Sequence, residues 1–78
     1  MNEEKTFYRH NGVRSHDVGY MADDAKNAAQ VDHDEVYGRA GTFEFLRIED
    51  YKQKNWLEQA GTVRKHRCTM TVIWQHHP

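Results

Sequence analysis

The strongest patterning along the chain lies in its last quarter. Residues 63–74 read as one long strand with a basic inner half (Arg64, Lys65, His66, Arg67) and an apolar outer half (Met70, Val72, Ile73, Trp74). A strand sends alternate side chains to opposite faces, so the same residues can anchor a core and present charge. Residues 42–48 are dense in β-favouring side chains, with Phe43 and Phe45 on one face and Leu46 and Ile48 on the other. Apolar residues on both faces predict a strand that is covered on both sides or sits centrally. Near the N-terminus, residues 6–10 read as a short strand, Asn11-Gly12 as a tight hairpin turn and residues 13–18 as the returning strand.

Two segments carry helical signals. Residues 22–31 place Ala22, Ala25, Ala28 and Ala29 at helical spacing behind the acidic Asp23 and Asp24. Residues 49–60 open on Glu49-Asp50, set Trp56, Leu57 and Ala60 on one side and meet Gly61 as a C-terminal stop. Residues 32–41, polar and closed by Gly38 and Gly41, read as a connecting loop. The order strand, strand, helix, strand, helix, strand predicts a single α+β domain spanning 1–78, with about four mostly antiparallel strands and two helices on one face. Residues 1–5 and 75–78 are expected to be flexible tails.

Composition adjusts this picture. Ile, Leu, Val and Phe make up only about 17% of the 78 residues, below the roughly 20% that accompanies disorder when net charge is high. Net charge here is −1, and nine aromatic residues, Phe7, Tyr8, Tyr20, Tyr37, Phe43, Phe45, Tyr51, Trp56 and Trp74, supply apolar area instead. An aromatic core of marginal stability follows, of the kind that gains from a partner or a homodimer. The lone Cys68 allows no intramolecular disulfide and no thiolate-based zinc site. With no long apolar run and no signal-peptide layout at the N-terminus, the expectation is a cytoplasmic protein with no membrane contact.

Charge is unevenly spread. Residues 17–35 hold Asp17, Asp23, Asp24, Asp32, Asp34 and Glu35 against Lys26 alone, whereas residues 36–78 hold Arg39, Arg47, Lys52, Lys54, Arg64, Lys65 and Arg67 against Glu44, Glu49, Asp50 and Glu58. One acidic and one basic patch are therefore expected, suited to charged partners or to each other.

Catalytic and metal chemistry find little support. The six histidines lack the spacing of helix-borne ligand pairs, although His10 and His16 could approach across the expected hairpin, so surface positions are the default and no metal or cofactor is implied. Ser15, His16 and Asp17 are consecutive and cannot line up as a triad. Cys68 shares a face with His66 near several cations, yet it also lies on the register of Met70, Val72 and Trp74, where a small buried hydrophobe is the simpler reading. A chain this short is also expected to have little room for a pocket of roughly 300 Å³ or more. No enzyme is expected.

Binding is the remaining class. Small size, mixed patches, an aromatic core and no catalytic constellation resemble, in character rather than in motif, phage or mobile-element proteins that inhibit host machinery, anti-CRISPR proteins among them. The leading expectation is a non-catalytic protein-binding module, an inhibitor or adaptor that occludes a partner with a basic surface. Its expected contact residues are Asp23, Asp24, Asp32, Asp34 and Glu35 with Tyr20 and Tyr37. The alternative is a small nucleic-acid-binding domain using Arg47, Arg64, Lys65 and Arg67. The sequence pI near 6.6 is low for that role.

Overall fold

The computed structural model describes residues 2–12, 18–58 and 63–78. Four elements follow one another: β1 (Glu4–Gly12), α1 (Val18–Tyr37), β2 (Thr42–Glu58) and β3 (Val63–His77). The strands form one antiparallel sheet in the order β1-β3-β2. The helix covers one face of it. This α+β arrangement has three strands and one helix among the described residues, not the four strands and two helices that the pattern suggested.

The extra helix was expected over residues 49–60, yet β2 runs without interruption to Glu58. Glu49-Asp50, which looks like a helix start, is a β-bulge: the register shifts between Glu49 and Lys52, and Asp50 takes a φ of 53°. A second shift, between Phe45 and Arg47, brings Ile48 onto the same covered face as Phe43 and Phe45. β2 is accordingly an edge strand with one covered face rather than a central one. The central position belongs to β3, which continues through the expected tail to His77.

At the N-terminal end, Asn11 and Gly12 do not turn the chain. They complete β1, opposite Arg67 and His66. The returning strand expected at residues 13–18 lies outside the described residues except for Val18, which opens α1; the expected stop at Gly61 also lies outside them. α1 itself is twice the expected length and absorbs most of the segment read as a loop. The chain leaves it through Gly38, whose N–H donates to the Asp34 carbonyl at 2.8 Å.

Burial explains the helix. Met21, Ala25, Ala29 and His33 are buried and Tyr37 half-buried, a row at four-residue spacing that faces the sheet. The two alanines let the helix approach β3 closely, where Cys68, Met70, Val72 and Trp74 complete the core. Burial pushes the Cys68 thiol above its ordinary range, against the opposing effect of a Tyr51 hydrogen bond. Three hydroxyl donors fasten α1 to β1: Thr6 to Asp32 at 2.7 Å, Tyr8 to Asp24 at 2.5 Å and Tyr37 to Glu4. Trp74 Nε1 donates in turn to Thr6 Oγ1 at 2.9 Å, so the largest core side chain has its one donor satisfied. No described helix is long and apolar enough to cross a membrane.

Candidate nucleic-acid interface

Strict alternation along β3 sends His66, Cys68, Met70, Val72 and Trp74 to the helix, and Lys65, Arg67, Thr69, Thr71 and Ile73 to the opposite face. No described helix packs on that second face, although Ile73 within it is fully buried among its neighbours. Strand pairing then arranges its side chains in rows across the sheet. Lys5, Ile73 and Arg47 form one row, Phe7, Thr71 and Glu49 the next, then Arg9, Thr69 and Lys52, then Asn11, Arg67 and Lys54. Lys65 and Trp56 follow at the far end, where β1 has stopped.

These rows mix cations with aromatic rings. Phe7 is 62% exposed with the Arg9 guanidinium 5.9 Å from its ring centroid. Trp56 has Lys54 Nζ at 5.6 Å and Arg67 Cζ at 5.5 Å. Such cation–π contacts hold the cations beside a flat surface without neutralising them. Arg67 Nε also donates to Asn11 Oδ1 at 3.1 Å. Acids temper the field elsewhere: Arg47 pairs with Glu3 and Glu49, and Lys65 Nζ lies 3.1 Å from Glu58. Around Trp56, residues Asn11, Glu58, Lys65 and Arg67 line an open cavity of about 390 Å³. A second, of about 440 Å³, lies beside the C-terminal end of α1, so the chain has more concave surface than its length suggested.

Of the four basic residues singled out from sequence, Arg47, Lys65 and Arg67 share the open face. Arg64 pairs with Leu57 and points to the other side. Lys5 was missed because residues 1–5 were expected to be a tail, and Phe7, Arg9 and Asn11 because they were assigned to a local hairpin; their open-face side chains come into line only when β1 pairs with β3. The alternation of Phe7 and Arg9 was the available signal.

The acidic set lies on α1 but divides. Asp24 and Asp32 accept hydrogen bonds from β1, Asp34 Oδ1 contacts His33 Nδ1 at 2.9 Å, and the Tyr37 hydroxyl is committed to Glu4. Asp23, Glu35 and Tyr20 remain on the exposed side of the helix.

The histidines depart from the surface expectation. His33 and His66 are buried, and His33 Nε2 lies 2.9 Å from His76 Nδ1 while Tyr37 stacks on His76 at 3.9 Å. His33 Nδ1 faces the Asp34 carboxylate, so His33 joins an acid and a second imidazole through its two ring nitrogens. His10 nears His66, with ring centroids 5.7 Å apart, whereas His16 lies outside the described residues. Among the described residues, no three His, Cys, Asp or Glu side chains form a group able to hold a metal ion.

Comparison of the chain with protein-family models, curated proteins and solved structures gives no significant match.

Proposed function

We propose that this chain binds single-stranded nucleic acid along the open face of its sheet. The observation that carries the reading is the composition of the rows: Lys5, Arg9, Lys52, Lys54, Lys65 and Arg67 interleaved with Phe7 and Trp56 on a face against which no described helix packs. Phosphates bind clustered cations, and unpaired bases stack on aromatic side chains at a gain of roughly 1–3 kcal/mol each. Rows two residues apart are separated by about 6.7 Å, a repeat that an extended strand of nucleotides can follow. Helix carboxylates on the opposite side would repel the same ligand, which orients binding and reconciles a basic interface with a net charge of −1.

The test is a titration of labelled single-stranded oligonucleotides at several salt concentrations. Engagement of about five phosphates gives a slope of log affinity against log salt near −3.5. Replacing Lys54 and Arg67 with glutamine should flatten that slope by about one to one and a half. Absence of binding at low salt would refute the reading.

A second reading is kept for the outer side of α1. There Tyr20, Val31 and Val36 are 60%, 56% and 67% exposed beside Asp23 and Glu35, a mixture suited to a protein with a basic surface. Occlusion of such a partner, in the manner of an inhibitor, would need no chemistry from this chain. Reversing the charge of Asp23 and Glu35 should weaken capture of that partner while leaving the fold intact, since neither joins the bonds that fasten α1 to β1.

A further inference from the structure

The geometry points to a guanine-selective subsite at the distal end of the open face, formed by the Glu58–Lys65 ion pair beside Trp56. This inference rests on the nucleic-acid reading of the same face and adds the base it prefers. Lys65 Nζ contacts Glu58 Oε2 at 3.1 Å, and both side chains are partly solvent-exposed. Trp56 is directly opposite Lys65 in the strand pairing, and the three residues line one cavity of about 390 Å³ with Asn11 and Arg67. That is within the range of roughly 300–1,000 Å³ seen for small-ligand sites.

The hydrogen-bonding pattern decides the base. A carboxylate next to an ammonium offers two acceptors and then a donor. The pairing edge of guanine offers two donors, N2–H and N1–H, and then the O6 acceptor, so the ion pair presents the pattern that cytosine presents in a duplex. Uracil alternates acceptor, donor, acceptor, adenine has one donor beside one acceptor, and cytosine repeats the pattern of the protein itself. Stacking on Trp56 would hold any base flat, but only guanine satisfies all three groups. Arg67 and Lys54, at 5.5 and 5.6 Å from the ring centroid, are cross-strand partners in the adjoining row and are placed for the phosphate on that side. The Asn11 side-chain oxygen is taken by Arg67, which leaves its NH₂ donors for the sugar or phosphate.

The test uses the whole chain and uridine 12-mers that carry a single G, inosine, A, C or U at the centre, read by fluorescence anisotropy and by quenching of tryptophan emission. Trp74 is 2% exposed, so quenching reports Trp56. The G-containing strand should bind about tenfold more tightly than those with A, C or U, with inosine, which lacks the 2-amino donor, between them. Glu58→Gln should abolish the preference and keep salt-dependent binding, whereas Trp56→Ala should weaken all strands about tenfold. Unchanged far-UV circular dichroism verifies the fold of each variant, and Lys65→Gln serves as a second probe. Guanosine monophosphate should compete at least tenfold more weakly than the G-containing strand; equal competition would mark a mononucleotide site and overturn the strand subsite. Equal affinity for all five strands, or a guanine preference that survives Glu58→Gln, would overturn the subsite and leave the nucleic-acid reading intact. Failure of every strand to bind would overturn both.

Discussion

A methyl group at residue 41 has no space to occupy. Gly41 has a φ of +77°, and a Cβ built there would lie 2.2 Å from the His77 carbonyl oxygen and 2.4 Å from His76 Cε1. Gly38, at φ +65°, has nothing within 4 Å of the same position. The two glycines separate backbone strain from steric conflict. Gly38→Ala should cost about 1 kcal/mol, the strain of left-handed backbone alone, and Gly41→Ala about 2–3 kcal/mol, because the end of β3 must move as well. Urea denaturation of both variants measures the difference, and equal losses would mean that the close approach is not maintained in solution. His33 carries a similar lesson about legibility. A histidine among three acids, Asp32, Asp34 and Glu35, invites a surface or metal reading, yet it continues the four-residue row of Met21, Ala25 and Ala29 into the core. Its hydrogen bond to His76 was not readable in advance, since the two are 43 positions apart.

Between residues and the molecule, the elements differ in how plainly they were written. β3 was legible because its alternation runs through a buried stretch, and the assignment of Cys68 to the Met70, Val72 and Trp74 face agrees with its burial. β2 was not. Its distal half, Lys52 to Glu58, is polar, and Glu49-Asp50 before it imitates a helix start. Pairing with β3 overrides that local preference, as tertiary context does for weak propensities. The candidate site suffered for the same reason: Trp56 was assigned to a helix face with Leu57 and Ala60, and Glu58 fell within that helix, whereas the strand sets Lys52, Lys54, Trp56 and Glu58 on one side. The mode of construction makes the distal hairpin the less stable part. Beyond Gly12 and His66, β3 has a partner on one side only, and the residues of β2 there are mostly exposed. Amide hydrogen exchange should therefore be fastest in residues 54–58 and 63–65, and slowest from Met70 to Trp74, which pairs on both sides over the buried core. Uniform protection along β3 would contradict this division.

At the scale of the whole molecule, shape and charge follow from that same hairpin. A strand of 17 residues at about 3.3 Å each accounts for a long axis of 53 Å against widths of 19 and 17 Å. The extended sheet separates a basic open face from an acidic helix, and acids within the open face set how the molecule responds to pH. Hydrogen bonds from Arg47 hold the Glu3 carboxyl below its ordinary value of 4.5, and hydrogen bonds from His77 and Gln75 do the same for Glu44. Both groups ionise more readily in the folded chain than in the unfolded one. Their contribution to stability is therefore present above pH 4.5 and is lost as pH falls through the lowered folded values. Protonation of the same carboxyls removes negative charge from the open face, so affinity for a polyanion should rise over the interval in which stability declines. Urea unfolding between pH 7 and pH 3 should show this acid limb. Glu44→Gln should be less stable than the native chain near neutrality and should lose less on acidification, because the variant has no carboxyl at that position left to titrate. An acid limb identical in the two proteins would place the pH sensitivity of the fold elsewhere, and would mean that the Glu44–His77 contact at 2.5 Å contributes nothing to it.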